Sequence, residues 1–492
     1  MENRWNFLGR KPDGDKPDRT YHRSMRLIRV VVGVILIATA AIATVRPPSA
    51  DATPSSSLRR YPYLTDLVKR DVTVNWATTT SVGSGAVEWG SAGGDCAAHQ
   101  TAASKTSITV GSTSEFQWKA KIAGLRRGER YCYRIFGGST DLLGTDPTPS
   151  FRAQIARRST SPFSFAVFGD WGQVDGGGNN AAQADLMSEI AGSHSTFALT
   201  TGDTAYPSGS QTNYGDLVQR GADTSAVFGP SFWTKAGDEI PLFNAQGNHG
   251  MNATSLVNWP QDRAVAASKG TYEMQDYCCA NGTDPASYPS SWYAFNAGPA
   301  RFYVLEASWA NSNVGDAYLY ENDYDAHWTA SRAEYRWLRN DLETHHRPLA
   351  FAVFHFPLWS DNASEHSDTW LHGSGNLEDL LGEHGVDIVF NGHAHIYQRN
   401  RPSARGMPIT YVTGGGGADL EPVSGCSSID AYAIGWSYSS STHGSACGAA
   451  SRPTSIDQVF HFLLVTVHGS SVTVAPTDSD GDTFDVQTYN LG

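Results

Sequence analysis

Residues 165–172 read FAVFGDWG: an apolar run of strand length that stops at Asp170. Four further stretches repeat the design. FALTTGDTAY (197–206) carries Asp203 and Tyr206, and PLFNAQGNHG (241–250) carries Asn248 and His249. LAFAVFHFP (349–357) carries His355, and VDIVFNGHAH (386–395) carries His393 and His395. In an open α/β sheet the ligand crevice lies outside the carboxyl ends of the strands. Five such ends are therefore expected to bring their metal-type side chains to one site. The donors suffice for two ions, and a pair of ions suits hydrolysis of a phosphate ester.

The residue types fit that chemistry. Carboxylates are hard anionic donors, and Asp203 can bridge two cations with its two oxygens. Neutral imidazoles suit Zn, Fe and Mn. Asn248 offers a neutral carbonyl oxygen, which limits the negative charge of the site. His393 and His395 skip one residue, so both project to the same side of an extended segment. Gly202, Gly247 and Gly392 each precede a ligand and allow a tight turn there. Taken singly these signals are weak: a lone His-x-His is more often a surface pair, and Gly-Asn is commonly a turn. Their strength lies in the ordered set, each at the end of a strand.

Around this core the chain divides. Val30–Val45 is uncharged and follows Arg26 and Arg29, and Ala50-Asp51-Ala52 supplies a small-x-small cleavage site. A spanning helix needs about 20 apolar residues, so residues 1–52 are read as a signal peptide, with a signal-anchor as the alternative. Met25 would itself begin a compact signal. Residues 59–157 read as all-β, with strand candidates at 72–76, 86–89, 116–122 and 131–136. Within GLRRGERYCYRIF (124–136), Leu125, Gly128 and Tyr131 have the spacing of a tyrosine corner. From Ser161 to about Gly417 strands and helices alternate, with helical spacing at 181–194, 333–346 and 377–384, which indicates a layered α/β domain, read as 161–490 with its C-terminal strands. Asn252–Pro299 and Asp419–Pro453 read as long loops near the mouth of the site. Val459–Ala475 reads as a hairpin that adds strands to this domain. Gly414–Gly417 lacks the Lys-Ser/Thr of a phosphate-cradling loop and is read as a tight backbone approach beneath the metals. Asp478-Ser-Asp480-Gly-Asp482 lacks the register of a calcium loop and is read as a polar turn.

Composition sets the context. Only 17% of the 492 residues are charged, aromatics make up 11%, and the net charge is −13. That charge argues against gripping a nucleic-acid backbone. Among the six cysteines none has a zinc-ribbon spacing. In an exported chain disulfides are expected, with Cys96–Cys132 and Cys426–Cys447 the expected pairs and the adjacent Cys278 and Cys279 not bonded to each other.

GDWG, GDTAY, GNH, the apolar run ending at His355 and GHAH together resemble the signatures of the calcineurin-like metallophosphoesterases. GDxxY is the purple acid phosphatase form, and HFPLWSDNASEH (355–366) resembles that family's segment from a ligand histidine to a catalytic one. The 59–157 region resembles the family's fibronectin III-like N-terminal module. The resemblance implies a β-sandwich followed by a four-layer αββα domain. It implies one metal on Asp170, Asp203, Tyr206 and His395, and a second on Asp203, Asn248, His355 and His393. A tyrosinate favours Fe(III) at the first position; Zn, Mn or Fe(II) would occupy the second. His249 is implied to bond a phosphate oxygen and His366 to protonate the leaving group, with His372 in reserve. Gly250 stands where the family usually has an acidic residue. Tyr397 and Arg399 are read either at the mouth or in surface packing. The expected protein is a secreted acid phosphatase acting on small phosphate monoesters. It would be held at the cell surface if the signal is retained. The rivals are a phosphodiesterase or nucleotidase on the same metals, and a non-catalytic wall-binding protein.

Overall fold

The computed structural model describes residues 55–110, 113–172, 181–204, 206, 236–245, 247, 292–305, 333–364, 367, 371–372 and 376–492. The signal region, Asn248, His249, His366, Cys278 and Cys279 lie outside the described residues. Among those described, no helix is long and apolar enough to cross a membrane. Ala52–Gly492 form one compact unit.

The first part is a β-sandwich. Its strands are β1 (Leu58–Val68), β2 (Asp71–Thr78), β3 (Gly85–Ser91), β4 (His99–Val110), β5 (Thr113–Ile122) and β6 (Arg130–Gly137), with short β7 (Thr140–Asp141) and β8 (Ser150–Arg152). β4 changes sheets midway: residues 99–103 pair with β3 and residues 104–110 with β5. The period-2 pattern buries Val72, Val74 and Trp76 on the inner face. There Trp76 stacks on Trp118 with centroids 6.2 Å apart. The Tyr131 hydroxyl accepts a hydrogen bond from the Arg126 N–H at 2.8 Å, which closes the tyrosine corner. Cys96 and Cys132 are bonded.

The second part has two sheets face to face. In one, β9 (Phe163–Phe168), β10 (Phe197–Thr200) and β11 (Leu242–Asn244) run parallel. The other holds β12 (Tyr293–Ala297), β13 (Ala300–Val304), β14 (Leu349–Val353), β15 (Ile388–Asn391), β16 (Tyr397–Asn400), β17 (Ile409–Thr413), β18 (Asp430–Trp436) and β19 (Gly444–Gly448). The C-terminal hairpin forms as read, as β20 (His461–His468) and β21 (Ser471–Asp478), with β20 pairing β9 and β22 (Gln487–Asn490) beyond. Facing rings fill the space between the sheets. Phe243 stacks on Phe295 at 3.7 Å, and Phe165 meets Phe302 edge-on at 5.1 Å. Fully burying such a ring is worth about 1.5–3 kcal/mol.

The second sheet alternates strictly. Phe302, Phe351 and Phe390 point to the shared core, while Tyr303, Ala352 and Val389 join Leu338, Leu342 and Leu380 on the other side. Those leucines come from helices α2 (Ala333–Thr344) and α3 (Leu377–Glu383), while α1 (Ala181–Gly192) packs against β20. The order is helix, sheet, sheet, helix. Each helix lies where its spacing placed it.

Two loop readings need correction. Asp419–Pro453 contains the β18–β19 hairpin, stapled by the Cys426–Cys447 disulfide. Its alternation is short and set among Ser and Gly, so the surrounding composition hid it. Likewise Tyr293–Ala297, within the stretch read as a loop, pairs with β13 through a two-residue turn at Gly298-Pro299. The sandwich is also less separate than its sequence suggests. Thr65 of β1 pairs with Leu242 of β11, Leu64 N–H donates to Gly237 O at 2.8 Å, and the Tyr133 hydroxyl donates to Asp238 O at 2.7 Å. β1 thus covers the open edge of the strand that leads to Asn248.

Candidate metal centre

The parallel strands deliver their ligands from their carboxyl ends. Asp170 lies just beyond β9, Asp203 just beyond β10, His355 just beyond β14, and His393 and His395 just beyond β15. Asp170, Asp203 and His355 are fully or almost fully buried, and their ligand atoms lie close enough together to hold one metal ion. The His355 Nε2 lies 3.3 Å from Asp203 Oδ1, and the His393 ring stands 5.1 Å from that of His355. On the other side, the Tyr206 hydroxyl lies 2.8 Å from Asp203 Oδ2, 3.3 Å from Asp170 Oδ1 and 3.0 Å from His395 Nε2. Six of the seven expected ligands therefore meet in one place.

These spacings suit cations. Donors held at right angles about 2.1 Å from one ion stand about 3 Å apart. The Tyr206 oxygen and its three neighbours have that separation. Two buried carboxylates also need positive charge nearby. In this chain they pair with histidines. Burial disfavours a charged His395 ring, yet its bond to Asp170 and the charges of Asp170 and Glu421 outweigh this and push it up to about 9. Burial works the same way at His355, where Asp203 nevertheless raises the ring above its ordinary value. Tyr206 is driven far up by burial and then by Asp203 and Asp170. The phenol keeps its proton unless a cation enters among the same oxygens.

Backbone geometry fixes the ligands. Cβ atoms on Gly247 or Gly392 would fall 2.1 Å from Asp203 Oδ1 and 2.5 Å from Asp170 Oδ2. The Gly414–Gly417 loop passes beneath the site as read: a Cβ on Gly414 would meet Ala394 O at 2.1 Å, and the Ala418 N–H donates to Asp170 O. Two orienting groups escaped the sequence reading. His355 Nδ1 is 3.0 Å from Thr201 O, and His395 Nδ1 is 2.6 Å from Asp419 O. Such acceptors fix ring orientation and tautomer, but a main-chain carbonyl has no signature in sequence.

Other candidates are placed elsewhere. Tyr397 is buried and donates to Asp485, and Arg399 grips Asp485 with two bonds, so neither lines the mouth. His372 lies against Trp359 with centroids 4.1 Å apart. Asp478 Oδ1 accepts the N–H groups of Asp480 and Asp482, which is the polar turn expected.

Comparison with known proteins agrees with this geometry. Residues 61–153 match the purple acid phosphatase N-terminal domain, and residues 163–397 match the calcineurin-like phosphoesterase family. The chain belongs to the calcineurin-like phosphoesterases of the purple acid phosphatase family. Purple acid phosphatase 18 of Arabidopsis thaliana is 24% identical over 409 residues, covering 80% of each chain. Purple acid phosphatase 15 of the same plant is 25% identical, and the match spans 58% of this chain but only half of the relative's length. A purple acid phosphatase from yellow lupin seeds superposes with a TM-score of 0.60 at 17% identity, covering 88% of this chain and 74% of its own. That likeness is one of fold, and it carries the sandwich and the phosphoesterase domain together.

Proposed function

We propose that the protein is an exported acid phosphatase that hydrolyses small phosphate monoesters at a dinuclear centre. One observation carries the reading: the Tyr206 hydroxyl lies among Asp170, Asp203 and His395 at ligand spacing. Asp170, Asp203, Tyr206 and His395 would hold an Fe(III) ion. Asp203, Asn248, His355 and His393 would hold Zn, Mn or Fe(II). When bound, the pair supplies Lewis-acid polarisation of the phosphoryl oxygens and an activated water.

The chain's residues do the rest. Asp203 would be shared by the two metal positions, its Oδ1 lying toward His355 and its Oδ2 toward Tyr206. Thr201 and Asp419 carbonyls hold His355 and His395 in one orientation each. His249, beside Asn248, bonds a phosphoryl oxygen and so orients the ester. His366 holds the proton that passes to the leaving alkoxide. An imidazole suits either role because its unperturbed pKa is about 6.5.

Elemental analysis and turnover of an aryl phosphate test this. The Asp203→Ala variant is expected to lose metal and at least about 100-fold in kcat/KM; wild-type turnover in a metal-replete variant would sink the reading. Tyr206→Phe is expected to abolish a visible absorption band, and an iron-free wild type would refute the tyrosinate. A preference for bis-esters over monoesters would instead favour a diesterase on the same ligands.

A further inference from the structure

A carboxyl pair outside the metal centre fastens its rim. Ser360–Ala363 lies alongside Glu421–Ser424. The Ala363 N–H donates to Pro422 O at 3.0 Å, the Ser424 N–H donates to Asp361 O at 2.7 Å, and Asn362 and Val423 form an antiparallel bridge. The Asn362 amide also donates to the Glu421 carboxylate. This strap reaches the metal ligands directly, because the Glu421 N–H donates to His395 O at 3.1 Å and the neighbouring Asp419 carbonyl holds the His395 ring. In sequence the strap lies between His355 and His366.

Behind the strap Asp361 and Asp430 face each other. Gln398 Nε2 reaches both carboxyls, at 3.4 and 3.2 Å, and so does the Ser427 N–H, at 3.4 and 2.6 Å. The Ser427 hydroxyl donates to Asp430 at 2.7 Å, and Gln398 Oε1 accepts the Asp361 N–H at 2.8 Å. Two donors shared between them bring the two carboxyls close together. A carboxyl can donate to a carboxylate only while one of the two keeps its proton. Burial, then Asp430 itself, raises Asp361 to about 7, against the opposing Ser427 N–H.

The neighbouring charges leave the pair to itself. Arg401 donates to the Asp430 main-chain oxygen at 2.8 Å, not to its carboxyl. Glu378 of α3 is held by the Trp359 indole, His372 lies against the Trp359 ring, and Glu421 is engaged by Asn362. Cys426, next to Ser427, is tied by its disulfide to Cys447. The Asp430 side of the clamp is therefore anchored.

We propose that Asp361 and Asp430 are a positioning pair that shares one proton in acid, clamps the 360–363 strap against 421–424 beside His395, and releases it when the proton is lost. The catalytic consequence rests on the phosphatase reading; the clamp itself does not. Part of the acid preference would then reside in this pair and not in the metal centre.

The pH profile of kcat/KM in Asp361→Asn, metal-loaded, tests the pair. An amide donates to Asp430 at every pH, so the alkaline limb is expected to move up by about one pH unit relative to wild type. Asp361→Ala, which leaves the clamp open at every pH, is expected to raise KM in acid to the value wild type reaches once the clamp is released, with little further change as pH rises through about 7. Hydrogen-exchange protection of residues 360–364 and 421–427 in wild type is expected to fall between about pH 6 and 8, and to stay constant in Asp361→Asn. An unmoved limb together with pH-independent protection in wild type would overturn the proposal. Absence of phosphatase activity at every pH would sink the functional reading alone, because the exchange measurement still decides the clamp.

Discussion

Asp170, Asp203 and His393 sit in the left-handed region, at φ 56°, 49° and 67°. A side-chain-bearing residue pays about 1 kcal/mol or more for that conformation. It persists here because the surroundings over-determine it: Asp170 N–H donates to Gly202 O, its carbonyl accepts Ala418 N–H, and its carboxylate accepts the His393 N–H at 2.9 Å. The turn lets a parallel strand end with its ligand aimed across the crevice. Gly392 has no room for a Cβ beside Asp170. Gly392→Ala is therefore expected to halve the metal content or worse by elemental analysis, with unchanged far-ultraviolet circular dichroism. Full metal loading would show that the Asp170 carboxylate can move aside. These ligands were legible in the sequence because each interrupts an apolar run with a residue that burial would otherwise penalise. The carbonyls of Thr201 and Asp419 were not, since every residue offers one.

At the scale of elements, the legible features were those with a period. β2 and β5 alternate, β14 is an apolar run of strand length, and α2 spaces its leucines by turns. The β18–β19 hairpin was missed because its alternating residues are few and half are alanine or glycine. The tyrosine corner was found because three residues carry it at fixed spacing. Tyr131→Phe removes the acceptor for the Arg126 N–H at a nearly buried position. It is expected to cost about 1 kcal/mol in chemical denaturation and to leave kcat/KM unchanged. A loss of activity at full folding would mean that the sandwich tunes the site. The inter-sheet rings are a stronger test of architecture. Phe302 contacts Phe165, Phe197, Phe295 and Phe351, and Phe302→Ala is expected to cost about 3–5 kcal/mol. A cost near that of a surface substitution would contradict the shared core.

At the scale of the whole molecule, net charge and cysteine usage set the class, but the coupling of sandwich to phosphoesterase sheet was not legible. It rests on a short parallel pairing and two hydrogen bonds to main-chain carbonyls, none of which has a residue code. That junction also bears on pH. Asp238, whose carbonyl accepts the Tyr133 hydroxyl, is raised to about 8 by burial and by the charges of Glu239 and Asp146. Asp361 is raised to about 7. Each binds its proton more tightly folded than unfolded, so each favours the fold fully below about pH 4 and progressively less as pH rises through its folded value. His461 acts in the opposite sense. Burial lowers it to about 4, so its contribution is lost as pH falls from about 6.5 toward that value. Two carboxyls against one imidazole leave a net decline in stability from mildly acid to neutral solution, because in that range both carboxyls hold in the fold a proton that the unfolded chain has lost, and His461 offsets only one of them. Calorimetric melting of metal-loaded protein is expected to give a higher midpoint at about pH 5 than at about pH 8. Asp238→Asn is expected to flatten that dependence, since an amide at the junction does not titrate. A midpoint that rises toward neutral pH in wild type would show that the junction and rim carboxyls do not govern the stability of this fold.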